Sequence, residues 1–221
     1  MQAVFETIAG KRIVPVIKIE DPDRAVPLAR ALLSGGLPIA EITFRTAAAA
    51  QAMRAIVASV PGVLVGAGTV LTTGQVDIAI DSGASFVVTP GFNPRVVDYC
   101  LSRGIAVIPG VNSPSQVEMG LERGLEILKF FPAEASGGVK MLKALNGPYP
   151  GVRFIPTGGI GPDNLSEYLG LSCVLACGGS WMVKDEFIAA GKFQDIEEMT
   201  RRAVQAAAAC KQAACKQAAS G

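Results

Sequence analysis

The chain has no histidine. Ser-His-Asp and Cys-His catalysis are therefore excluded, as are histidine-based zinc or iron sites, and proton transfer near neutral pH is left to carboxylates, lysines, tyrosines, thiols or water. Among these Lys129 stands apart, because it interrupts the apolar run Ile127-Leu128-Lys129-Phe130-Phe131. An ordinary lysine, with pKa near ~10.4, is a free amine in well under about one part per thousand at pH 7. Apolar surroundings and a neighbouring cation both favour the neutral amine, which is then a nucleophile toward a carbonyl. The same residue reads equally well as an amine that snorkels to a rim or pairs with a carboxylate.

Glu41 is also embedded in an apolar run, Ile39 to Phe44. It is suited to general acid–base work on a carbonyl adduct, or else to being a buried partner of Arg45 or Lys129. Strand alternation puts Glu41, Thr43 and Arg45 on one side, and Arg45 offers a planar donor fork for a carboxylate. Two glycine pairs, Thr157-Gly158-Gly159 and Gly178-Gly179-Ser180, each follow an apolar run. Such pairs let a phosphate approach backbone N–H groups, although tight turns need glycine too.

These residues require a frame, and the apolar runs supply one. They fall at Ile13–Ile17, Ile39–Phe44, Leu64–Thr69, Phe86–Pro90, Ala106–Pro109, Ile127–Phe131, Arg153–Thr157 and Val174–Cys177. Runs without strict alternation suit strands buried on both faces. Helical spacing fills the gaps at Pro22–Leu33, Ala47–Val57, Gln75–Ile80, Asn93–Leu101 and Pro114–Leu121. Pro162 stands where a first helical turn would start, and Gly35, Gly83, Gly104 and Gly124 stand where left-handed caps are wanted. The alternation predicts an α/β fold: a single (β/α)8 TIM barrel over 1–205 with a short N-terminal helix before Ile13, rather than an open doubly wound sheet. The tail, 206–221, is nearly all Ala, Cys, Lys and Gln. It reads as a helical extension or as disordered, and is assigned no chemistry.

In a barrel the C-terminal strand ends face the site. Those ends carry Lys18, Glu41 to Arg45, Gly66-Ala67-Gly68-Thr69, Thr89-Pro90-Gly91, Pro109-Gly110 and Lys129 to Pro132. Charge is nearly balanced, with 20 Lys+Arg against 19 Asp+Glu, so neither a nucleic acid nor an anionic membrane is an expected partner. No apolar run approaches the 18 or so residues of a membrane span, and no secretory leader is evident, so a cytoplasmic enzyme is expected. The five cysteines are odd in number, and Cys173 and Cys177 lie in an apolar run without a CxxC. Packing, not a disulfide framework or a metal site, is their expected role.

With these residues in order, the chain resembles the bacterial 2-keto-3-deoxy-6-phosphogluconate (KDPG) aldolases, a family that includes 4-hydroxy-2-oxoglutarate (KHG) aldolases. The resemblance spans about Ile8 to Ile196. It rests on Leu128-Lys129-Phe130-Phe131-Pro132-Ala133-Glu134, Gly137-Gly138-Val139-Lys140, Glu41-Ile42-Thr43-Phe44-Arg45, Gly66-Ala67-Gly68-Thr69-Val70 and Pro156-Thr157-Gly158-Gly159-Ile160.

The resemblance implies a metal-free, cofactor-free enzyme of the Entner–Doudoroff type, acting on a small 2-oxo acid phosphate. It further implies a homotrimer, with higher assembly left open. By the same resemblance Lys129 is the Schiff-base lysine and Glu41 the general acid–base. Arg45 and Thr69 contact the pyruvate carboxylate, Pro90 and Phe131 line the pocket, and Thr157 lies near the substrate. Gly158, Gly159, Gly179 and Ser180 contact the phosphate. Lys18 falls where some relatives have arginine and others an apolar residue. Competing expectations are KHG cleavage by the same residues, a galactonate-series substrate, a phosphate-binding isomerase using Glu41 without covalent catalysis, and a self-assembling scaffold, natural or designed, built on this barrel.

Overall fold

A computed structural model describes residues 1–219, with side chains through Cys210. Helix α1 (Gln2–Lys11) leads into strand β1 (Ile13–Ile17), and from there strands and helices alternate. They run α2 (Ala25–Ser34), β2 (Ile39–Thr43), α3 (Ala49–Ser59), β3 (Leu64–Gly68), α4 (Thr73–Asp81), β4 (Phe86–Val88) and α5 (Pro94–Ser102). The fifth barrel position is split by Pro109 into β5 (Ala106–Ile108) and β6 (Gly110–Val111). Then come α6 (Pro114–Leu121), β7 (Ile127–Phe130), α7 (Gly138–Asn146), β8 (Arg153–Pro156), α8 (Leu165–Leu169), β9 (Cys177–Gly179), α9 (Asp185–Ala189) and α10 (Phe193–Ala219). Of the low-complexity tail, Ser220, Gly221 and the side chains from 211 onward lie outside the described residues.

Local chemistry sets several boundaries. Thr72 and Gln75 form a reciprocal capping box at the start of α4, and Asn93 caps α5 ahead of Pro94. All the strand pairs are parallel. One arc reads β5-β4-β3-β2-β1-β9 and the other β6-β7-β8. The arcs join at Pro109, whose carbonyl accepts from Lys129 N at 2.9 Å, and at the bridges Phe154↔Val174 and Thr157↔Gly178. The result is the expected barrel, with buried side chains such as Phe86, Val88 and Ile155 in its interior. No helix among the described residues is long and apolar enough to cross a membrane.

Four local expectations are corrected. The eighth strand lies at Cys177–Gly179 rather than Val174–Cys177, because its register on β1 pairs Ile13 with Cys177 and Pro15 with Gly179. Val174 to Ala176 are apolar because they fill the wall beside β8, and Val174 contributes one bridge only. Several other strands end earlier than their apolar runs, since Thr69, Pro90 and Phe131 leave the ladder at the site face and Thr157 keeps only its single bridge to Gly178. Gly35 is right-handed (φ −72°), and Gly36 is the left-handed residue; Gly35 is small because a Cβ there would lie 2.7 Å from Thr200. Pro162 occupies the turn before α8, which begins at Leu165. Cys100, Cys173 and Cys177 are free and buried.

Candidate active site

Lys129 enters the barrel from β7 and Glu41 from β2. Both are nearly sealed, at 5% and 3% exposure, and Lys129 Nζ lies 3.9 Å from Glu41 Oε1. That gap is too long for a hydrogen bond, and Oε1 has no hydrogen-bond partner among the described residues. The groups interact through charge and burial instead. Burial pulls the Lys129 amine below the lysine range; Glu41 opposes this and Arg45 adds to it. Burial pushes Glu41 above the carboxylate range, against the pull of Lys129 and Arg45. Both directions favour the neutral forms, so desolvation outweighs mutual attraction across this gap. A neutral amine is what attack on a carbonyl requires.

Neighbouring residues make room for the pair. A Cβ at Gly68 would overlap Glu41 Oε1, and one at Gly66 would overlap the Phe86 ring. Thr43, on the same face as Glu41, instead donates from its hydroxyl to Ile17 O at 2.8 Å, a bond that ties β2 to β1. The Phe131 ring centroid lies 4.9 Å from Lys129 Nζ, within cation–π range when the amine is charged.

Above the pair opens a cleft of about 600 Å³. Arg45, Phe131, Thr157, Gly158, Gly159, Gly179 and Ser180 line it, so seven of the expected site residues converge there. Lys129 and Glu41 sit one layer deeper, around a small cavity whose wall includes Thr157. Because Thr157 belongs to both walls, it stands at the passage from cleft to amine. Thr69 and Pro90 line neither space. Thr69 is nonetheless unusual, since a β-branched residue at φ 56° is strained and such strain concentrates at functional sites.

The glycine turns differ from each other. Gly158 (φ 99°) and Gly159 (φ 81°) are left-handed, in a turn after β8. Gly178 and Gly179 lie in or beside strand pairing, where Thr157 and the Trp181 ring occupy the space a side chain would fill. Among the described residues, neither the Gly159 nor the Ser180 N–H donates within the protein, and both residues border the cleft. Trp181, Lys184 and Asp185 complete the rim and were not anticipated. A lone tryptophan directly after a glycine pair and a serine was the available signal. Lys18 also faces the cleft, held by Glu20 at 2.6 Å and by Asp185 at 4.0 Å. No cluster of three or more metal-ligating side chains occurs among the described residues.

The sequence profile of "KDPG and KHG aldolase" matches residues 4–199. The chain belongs to this family. A 2-dehydro-3-deoxy-phosphogluconate aldolase of Treponema pallidum is 50% identical over 205 residues, covering 93% of this chain and 98% of its own. The KHG/KDPG aldolase of Escherichia coli is 44% identical, over 88% of this chain and 92% of its own. A solved KDPG aldolase from Legionella pneumophila, with pyruvate captured as a covalent carbinolamine, superposes with TM-score 0.88 at 40% identity, covering 90% of this chain and 97% of that one.

Proposed function

We propose that this KDPG/KHG-family chain is a class I carbon–carbon lyase that cleaves 2-dehydro-3-deoxy-6-phosphogluconate to pyruvate and D-glyceraldehyde 3-phosphate. The observation that carries this reading is the buried Lys129–Glu41 pair, 3.9 Å apart beneath a cleft edged by glycine turns. Lys129 Nζ attacks the C2 carbonyl carbon, giving a carbinolamine. Glu41 donates the proton with which hydroxide leaves as water, and the iminium forms. The C4 hydroxyl gives its proton, through water, to the Glu41 carboxylate as the C3–C4 bond breaks; the bonding pair flows into the iminium, leaving an enamine and releasing the aldehyde. Glu41 returns that proton to the enamine at C3, and hydrolysis of the resulting iminium, which hands a proton back to Glu41, frees pyruvate and the amine.

Arg45 and Thr69 are assigned to the substrate carboxylate, and Pro90 and Phe131 to the walls around the reacting carbons. Thr157 is assigned to the passage, and Gly158, Gly159, Gly179 and Ser180 to the phosphate. The support is convergence for the residues lining the cleft, and resemblance for Thr69 and Pro90. A second substrate, 4-hydroxy-2-oxoglutarate, would use the same amine and leave the glycine turns empty; the double name of the Escherichia coli relative favours testing it. The resemblance also leads us to propose a cytoplasmic homotrimer, for which light scattering should return three times 22.8 kDa.

Borohydride reduction with pyruvate, followed by peptide mass mapping, tests the chemistry. An adduct confined to the Lys129 peptide is expected. Folded protein that yields no adduct there would refute the mechanism.

A further inference from the structure

The turn after β8 brings Gly158, Gly159 and Ile160 to the cleft wall. Across a trans peptide the C=O and N–H point in opposite directions, so whatever holds a carbonyl aims the N–H on the other side. Thr157 O accepts from Ala133 N at 2.8 Å, and Gly158 O accepts from Glu134 N at 3.1 Å. Those backbone bonds extend the β7–β8 pairing and aim the next two N–H groups away from it. Gly159 O is held by a side chain instead, accepting from Asn164 Nδ2 at 2.9 Å. Asn164 Oδ1 meanwhile accepts from Gly161 N at 2.9 Å, so a single residue spans the turn.

Such a restraint matters because two successive left-handed glycines have wide conformational freedom of their own. An anion site depends on N–H groups that are already aimed before the ligand arrives.

We propose that Asn164 is a positioning residue for the substrate phosphate: it never touches the reacting atoms, but by holding Gly159 O and Gly161 N it fixes the Gly159–Ile160 peptide, and with it the Ile160 N–H, at the end of the turn that meets that phosphate. The inference rests on the phosphate role proposed above for Gly158 and Gly159. It assigns Asn164 to discrimination between phosphorylated and unphosphorylated 2-oxo acids.

The test compares wild type, Asn164→Ala and Asn164→Asp on 2-dehydro-3-deoxy-6-phosphogluconate and on 4-hydroxy-2-oxoglutarate, with inorganic phosphate as a competitive probe. Losing the orienting hydrogen bond to Gly159 O should raise KM for the phosphorylated substrate about tenfold and weaken phosphate inhibition by the same factor. Values of kcat/KM on 4-hydroxy-2-oxoglutarate, and borohydride trapping of pyruvate, should stay within about twofold, the scatter expected where no contact is altered. Asn164→Asp keeps the acceptor for Gly161 N but loses the donor to Gly159 O and sets a carboxylate against that carbonyl, so it should lose about as much as alanine while remaining folded. Equal losses on both substrates would reduce Asn164 to a structural role and overturn the proposal, as would wild-type discrimination in Asn164→Asp. A wild-type enzyme that neither prefers the phosphorylated substrate nor is inhibited by phosphate would instead overturn the phosphate reading itself, and this inference with it.

Discussion

Gly68→Ala isolates the fit around the proposed acid–base. The backbone of Gly68 lies outside the left-handed region, so alanine is acceptable there on conformational grounds. The objection is space: an added Cβ overlaps Glu41 Oε1 and lies 2.8 Å from its Cγ and 3.0 Å from its Cδ. The strand cannot retreat easily, because Glu41 pairs with Gly66 and Thr43 with Gly68 in the β2–β3 ladder. The carboxylate must swing instead. Overpacking of this kind costs about 1–3 kcal/mol, which for a chain of this size lowers Tm by roughly 2–12 °C. The catalytic cost should be larger: a displaced general acid–base forfeits about 10²- to 10⁴-fold. Turnover would be followed by pyruvate release, with melting measured on the same samples. Gly10→Ala is the control, since its Cβ meets nothing within 4 Å and it lies in α1. Gly68→Ala that keeps kcat within threefold of that control would refute both the steric argument and the assignment of Glu41.

Three further predictions follow from burial. Lys129→Met should abolish the borohydride adduct while leaving the protein folded, because an apolar side chain of similar length replaces a desolvated amine; retained trapping would sink the assignment. The same variant tests the lowered amine. Between its folded pKa and the ordinary 10.5, the unfolded chain binds the extra proton, so wild-type stability should rise with pH there relative to Lys129→Met. Below that window the folded protein bears the full cost of the charged amine, and a Tm difference that stays flat from pH 7 to pH 10 would contradict the shift. Finally, burial pushes the Cys100 thiol up to about 11 and Cys177 up to about 12. Iodoacetamide at pH 8 should therefore leave the Cys100 and Cys177 peptides unlabelled in folded protein, and rapid labelling of either would contradict the packing.

The barrel was legible because strands buried on both faces need unbroken apolar runs, and the same property exposed Lys129 and Glu41 as charges where none belonged. Boundaries were harder. The run Val174–Cys177 is apolar because it lines a wall, yet pairing with β1 selects Cys177–Gly179, and apolarity alone does not distinguish packing from laddering. Glycine was ambiguous for a related reason. Gly158 and Gly159 are needed for their dihedrals, Gly68 and Gly179 for the space that Glu41 and Trp181 fill, and the letter is the same in each case. Asn164 shows where reading strand ends stops working. It lies beyond the strand, faces the turn rather than the cleft, and acts on peptide groups whose direction is fixed only when the fold is complete. The sequence therefore displays most directly the residues that violate their surroundings, such as a buried amine. It displays least the residues that satisfy theirs, and those hold the site's donors in place.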